Sequence, residues 1–179
     1  MGWNLKRMQV KKELTWILFD EADHRRPAPY FRLPSALGRP VALDDYRGRD
    51  NLVLFFAHSV GCQDCVAALR SFASHMPAYN RQESVILAIF PDPVEEIHVS
   101  GLLDLPFPLL EDSGSAVRRK YAGLMAESLV EAGDVLLFVL DRYGAPYTAL
   151  VGDELGIGAE GFHRETLKWL EYIELQCPE

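Results

Sequence analysis

No stretch of about 18 consecutive apolar residues occurs in the 179-residue chain, which excludes an ordinary membrane-spanning helix. Positive charge is also short. The 18 Lys and Arg stand against 26 Asp and Glu, and a net charge of −8 argues against a nucleic-acid or anionic-membrane partner. Cysteine is scarce: three residues do not make the disulfide framework of a small secreted domain, and they suit a reducing compartment, so a cytoplasmic location is expected. Repeats, low-complexity tracts and long linkers are missing, which leaves one domain of a size that buries about 70% of its unfolded surface without staples. The N-terminal MGWNLKRMQVKKELTWILFDEAD turns from basic to apolar, yet Leu14 to Phe19 is too short for a signal peptide and acidic residues follow it. Residues 1–24 therefore read as an extension, a strand or helix packed at the edge of a domain covering 25–179.

What is present is a regular alternation. A Pro-rich entry, RRPAPYFRLPSALGRP, leads to NLVLFFA, an apolar run with no polar alternation, as expected of a strand buried on both faces. Val66, Leu69, Phe72, Ala73 and Met76 then recur at helical steps, and Pro77 is expected to stop that helix. SVILAIF is a second apolar strand, and strand, helix, strand calls for a right-handed crossover with the strands parallel. Ser115 to about Tyr121 reads as a short helix capped by Ser113 or Ser115. DVLLFVLD and APYTALVG flank a hairpin turn at Arg142 to Gly144, and after the glycine-rich GIGAEG a closing helix shares Phe162, Leu167, Leu170 and Ile173 on one face. The order is strand, helix, strand, helix, strand, strand, helix.

Two of the three cysteines, Cys62 and Cys65, fall where the first apolar strand gives way to the first helix. Two intervening residues let both sulfurs approach across one helical turn, within the geometry a disulfide needs. The unpaired N–H groups and dipole of a helix start stabilise a thiolate, the form that attacks. Cys62, nearer solvent, is the expected nucleophile and Cys65, one turn inside, the resolving thiol. Gln63 and Asp64 sit between them; the Asp64 carboxylate disfavours a neighbouring thiolate and so favours a reducing couple, whereas a protonated His58 would push the other way. Ser59 is a weaker candidate donor to the thiolate. A pair of inert core thiols has no reason to stand at a helix start after a strand, and structural zinc lacks ligands, since there is no second CxxC and His24, His58, His98 and Cys177 are scattered. No bound metal or cofactor is expected. Arg70, about two turns on, reads as a solvated or salt-bridged residue, and Trp16, Phe55, Phe56 and Phe138 as core packing.

Three segments carry a resemblance. APYFRLPSALGRPVALDDYRGR, NLVLFF and FVLDRYGAPY together resemble the AhpC/TSA and redoxin branch of the thioredoxin-like superfamily, the peroxiredoxin-like proteins, over roughly Ala28 to Gly152. The resemblance implies an α/β thioredoxin fold: a three-layer α/β/α sandwich with a central mixed sheet, an N-terminal extension and a C-terminal helix. Aligned on VLFF, the peroxide-reactive cysteine of that family falls on Cys65, while His58 and Cys62 stand where its proline and threonine stand, and its late arginine falls at about Val135. GCQDC is instead similar to the CxxC of thioredoxin-like disulfide reductases, though no proline precedes the late strand at Val135 or Leu136. Cys177 reads as an idle tail thiol or, by the same resemblance, a distant resolving cysteine.

Three functions follow as expectations. The first is thiol–disulfide oxidoreduction of a protein or small-molecule disulfide, with Cys62 and Cys65 as the redox pair and a cellular dithiol restoring it. The second is a peroxiredoxin-like thiol peroxidase acting on a hydroperoxide, with Cys65 attacking. The third is a non-catalytic binding module on the same scaffold. A monomer or homodimer fits any of them.

Overall fold

The computed structural model describes residues 14–153 and 161–176. Its strands are β1 (Thr15–Leu18), β2 (Arg32–Leu33), β3 (Val41–Ala42), β4 (Asn51–Phe56), β5 (Ser84–Phe90), β6 (Leu109–Glu111), β7 (Val135–Leu140) and β8 (Pro146–Gly152). The helices are α1 (Gln63–Ser74), α2 (Met76–Arg81), α3 (Val94–Val99), α4 (Ala116–Ala122) and α5 (Phe162–Gln176). Six strands form a mixed sheet in the order β1-β8-β7-β4-β5-β6, and β2 and β3 form a small separate hairpin. β4 runs parallel to β5 and antiparallel to β7, so the C-terminal ends of β4 and β5 and the start of β7 lie at one end of the sheet.

The absence of polar alternation in NLVLFF has a direct cause. All six β4 residues are buried, because successive side chains point to opposite faces and both faces are covered. Val53 and Phe55 join the cluster beneath α1, α2, α3 and α5, whereas Leu52, Leu54 and Phe56 join Val117 and Tyr121 beneath α4. This is the three-layer α/β/α arrangement that the family resemblance implies. β1 lies antiparallel to β8 at the sheet edge, so the apolar Leu14 to Phe19 stretch is a covering strand. The Arg142 to Gly144 turn is present as well: the Asp141 carboxylate accepts the N–H groups of Tyr143 and Ala145, and Gly144 takes φ +82°, where a side chain would be strained. No helix of the described residues is long and apolar enough to cross a membrane.

Local structure departs from expectation at three points. Pro77 ends one helix and opens another, since it occupies the first turn of α2, where its missing N–H costs nothing. Neither Ser113 nor Ser115 caps α4. Ser115 is left-handed at φ +55°, and the Asp112 carboxylate accepts the N–H groups of Val117 and Arg118 in its place. The elements α3, β6 and the β2–β3 hairpin were not expected at all, because each is too short to show a period. GIGAEG lies almost wholly outside the described residues, and Cys177 lies outside them.

The closing helix docks on α1 and α2 through a polar network as well as its apolar face. His163, 9% exposed, holds the Tyr79 hydroxyl at 2.9 Å on Nδ1 and the Ser71 hydroxyl at 2.6 Å on Nε2, and His75 stacks on its ring at 4.5 Å. Burial, and secondarily the neighbouring His75, pull the His163 pKa down to about 4. The imidazole is therefore neutral in the native protein at neutral pH and takes a proton more readily once unfolded. That stability is fully present above the unfolded value near 6.5 and is lost as pH falls toward 4. Allowing for partial solvent screening, about 2 kcal/mol should disappear across this window. Denaturant melts at pH 7.5 and 4.5 check this, with His163→Gln expected to flatten the dependence; parallel profiles for the two proteins would exclude it.

Candidate active site

The site is built where β4 ends. Ala57 continues the strand hydrogen bonding to Ile89 at 2.9 Å, after which the chain leaves the sheet over His58 to Gly61 and enters α1. The loop is tied down by Asp92, whose carboxylate accepts the Val60 N–H at 2.9 Å, and by the Cys62 N–H, which donates to the Ser59 carbonyl at 3.2 Å. Cys62 is then the N-cap of α1: its sulfur accepts the Cys65 N–H at 3.1 Å. A sulfur replaces the oxygen that usually fills this position, so the helix start itself donates to the thiol.

The two sulfurs face each other 2.6 Å apart. Cys62 is 6% exposed and Cys65 fully buried, so the expected order of exposure holds although both are more enclosed than a surface nucleophile would be. Cys65 also accepts the backbone N–H of His58 at 3.4 Å. Burial and the hydrogen bond with Cys62 push the Cys65 thiol up, while the backbone N–H groups of His58 and Ser59 pull it down. Preformed donors on an otherwise dry sulfur stabilise the anion in a way bulk water does not.

Of the other sequence candidates, His58 and Ser59 reach the site through their backbones, and the His58 side chain is exposed. Gln63 is exposed and Asp64 half-buried in the first turn of α1. Arg70 is salt-bridged, as expected, to Asp104 at 2.5 Å and bonds the Gly101 carbonyl. Val135 is fully buried at the start of β7. Among the described residues, no group of three or more His, Cys, Asp or Glu side chains could hold a metal ion. A cavity of about 190 Å³ lies at the opposite end of the sheet, between Leu52, Tyr46 and Arg142, away from the thiols.

One residue near the pair escaped the sequence reading. Asp92 follows β5 in the PDP stretch, a position whose only signal is that it trails the neighbouring parallel strand at the same end of the sheet. Its removal in Asp92→Ala should cost about 1–2 kcal/mol by stranding the Val60 N–H. It should also speed hydrogen exchange in the loop; protection equal to wild type at Val60 would exclude this tie.

A family model, the AhpC/TSA family, matches residues 25–154, well over half of the chain. This chain belongs to the AhpC/TSA family. Curated relatives include "Putative peroxiredoxin MT2597" of Mycobacterium tuberculosis, 31% identical over 86 residues, which are 48% of this chain and 54% of that protein. "Putative peroxiredoxin ycf42" of Trieres chinensis is 29% identical over 112 residues, 58% of this chain and 53% of the relative. The AhpC/TSA chain thus spans about half the length of the curated relatives it matches. Among solved structures, the peroxidoxin BcpB of Mycobacterium tuberculosis superposes with a TM-score of 0.66 at 18% identity, covering 83% of this chain and 96% of that one. A reduced 2-Cys peroxiredoxin of Plasmodium vivax gives 0.67 at 15% identity, covering 84% and 81%. At these identities the two structures establish the fold, which this AhpC/TSA chain shares: the thioredoxin fold of peroxiredoxins.

Proposed function

We propose that this AhpC/TSA chain is a thiol peroxidase, in which Cys65 reduces a hydroperoxide and Cys62 resolves the product. The reaction domain begins near Arg25, after an extension of which Thr15–Leu18 pairs with β8 at the sheet edge. The observation that carries the reading is the set of donors on Cys65: backbone N–H groups from the β4–α1 loop converge on its sulfur, and the resolving thiol is already in contact with it. The family match, and the fall of the family's reactive cysteine on Cys65, point the same way.

In the first step the Cys65 thiolate attacks one peroxide oxygen. The O–O bond breaks, the alkoxide leaves and takes a proton to become an alcohol or water, and Cys65 becomes the sulfenic acid. In the second, the Cys62 thiol displaces the sulfenic hydroxyl, which leaves as water, and the disulfide forms. A cellular dithiol then reduces it by exchange. The 2.6 Å contact means condensation requires no unwinding of α1.

One observation favours the other order. Cys62 is the more exposed sulfur and receives the helix N–H, as a disulfide-exchange nucleophile should. The test is trapping with a sulfenic-acid reagent after one equivalent of hydrogen peroxide. In Cys62→Ser the adduct is expected on Cys65. A Cys62 adduct in Cys65→Ser, with none on Cys65 in the reciprocal protein, would overturn the assignment and favour exchange chemistry.

A further inference from the structure

We infer that Asp92 is a positioning residue for the redox pair: its carboxylate holds the β4–α1 loop in the arrangement that turns two backbone N–H groups onto the Cys65 sulfur. The inference rests on the peroxidase reading for its catalytic consequence, and its effect on the thiol stands separately.

Three successive amides of the loop divide between two acceptors. The N–H groups of His58 and Ser59 act on the Cys65 sulfur, the first at 3.4 Å, and the next N–H, that of Val60, donates to Asp92 Oδ2 at 2.9 Å. The peptide joining Ser59 to Val60 is thereby held at both polar ends, since its carbonyl accepts the Cys62 N–H at 3.2 Å. A planar peptide gripped at N–H and carbonyl cannot swing, so the amides before it keep their direction. Among the described residues, the other hydrogen bonds of 58–61 are made within the loop or to α1. Asp92 is what ties the loop to the neighbouring strand.

The arm that carries this carboxylate is stiff. Asp92 stands between Pro91 and Pro93: each proline fixes its own φ, and the residue before a proline is confined to extended backbone. Both flanks are fastened at the end of β6, the Phe90 carbonyl by the Asp112 N–H at 2.7 Å and the Val94 N–H by the Glu111 carboxylate at 2.8 Å. A rigid acceptor imposes its place on a loop, whereas a flexible one would follow it. Because Cys65 is fully buried, the two amides stand in for the water that would otherwise solvate its thiolate. Two further groups bear on the sulfur, the Cys62 thiol and, from α4, the Arg118 guanidinium, and position 62 and Arg118 are the same in every variant compared below.

The test uses the full chain with Cys62→Ser and Cys177→Ser, which leaves Cys65 as its one thiol. Titration is followed by the Cβ shift of isotope-labelled cysteine, which reports the proton and not access, and sulfenic-acid formation is timed after addition of hydrogen peroxide at pH 7. Asp92→Ala is expected to raise the midpoint by about one unit and to slow the peroxide reaction about tenfold, the worth of a hydrogen bond to a charged sulfur. Asp92→Asn keeps an oxygen for the Val60 N–H and should stay within about twofold of the parent. Asp45→Ala, which strands the Ala42 N–H in the turn after β3, loses the same kind of bond elsewhere and should change neither readout. A midpoint and rate equal to the parent in folded Asp92→Ala would overturn the inference, as would an asparagine protein as slow as the alanine one. Should the alanine protein fail to fold, Asp92→Ser, whose oxygen stops one bond short of the Val60 N–H, takes its place with the same expectations. A shifted midpoint in proteins that form no sulfenic acid would uphold the inference while removing the peroxidase reading.

Discussion

Replacing Cys65 by serine is expected to abolish peroxide consumption, with a loss of at least about a hundredfold, whereas Cys62→Ser should retain a single rapid turnover and then stall. The asymmetry follows from the arrangement. Serine at 65 removes the only atom on which the His58 N–H and the second sulfur converge, and an alcohol in that position is a far weaker nucleophile than a thiolate. Serine at 62 leaves those donors in place and can still accept the Cys65 N–H as N-cap, so α1 keeps its start. What it cannot do is form the disulfide, and the sulfenic acid accumulates. Stopped-flow consumption of hydrogen peroxide, with excess dithiol and without, separates the burst from steady turnover. A burst that persists in Cys65→Ser and vanishes in Cys62→Ser would reverse the two roles.

Phe72→Ala should cost about 3–5 kcal/mol, the largest loss expected from truncating one side chain of the core. Phe72 is fully buried on the inner face of α1 and meets four rings: Phe55 of β4 at 5.8 Å, Tyr79 of α2 at 5.5 Å, Phe162 at 5.1 Å and His163 at 4.8 Å, both of α5. It joins the sheet, the cysteine-bearing helix and the closing helix, so its removal opens a cavity that no single element can collapse into. A midpoint lowered by roughly 10 °C is expected for a chain of this size. Urea melts with an unchanged m-value would attribute the loss to the native core, and a loss under about 1.5 kcal/mol would show that the three helices repack around the gap.

The elements readable in the sequence were those long enough to carry a period. β4, β5, β7, β8, α1 and α5 each show an apolar run or a helical repeat, and their order restricted the topology to a parallel crossover plus an antiparallel hairpin. Shorter pieces escaped. α3, at six residues, and β6, at three, bury few side chains and owe their form to neighbours. The capping of α4 misled for a related reason: two serines stood at plausible positions, but Ser115 is held left-handed, and the aspartate at the end of β6 reaches the helix N–H groups instead.

At the site the division is similar. The sequence by itself determined that two thiols would share one helical turn at the end of a buried strand, since spacing, the preceding apolar run and the following amphipathic pattern are local properties of the chain. It also determined which sulfur lies outward, because the N-cap precedes the turn that buries Cys65. Only the tertiary structure decided which groups surround the pair. Asp92 arrives from the end of the neighbouring strand, 32 positions after the Val60 whose N–H it accepts, and the donors on Cys65 are the backbones of His58 and Ser59, turned toward the sulfur as the chain leaves the sheet. The first meeting depends on the parallel crossover and the second on the path of the loop, and no local pattern of side chains records either.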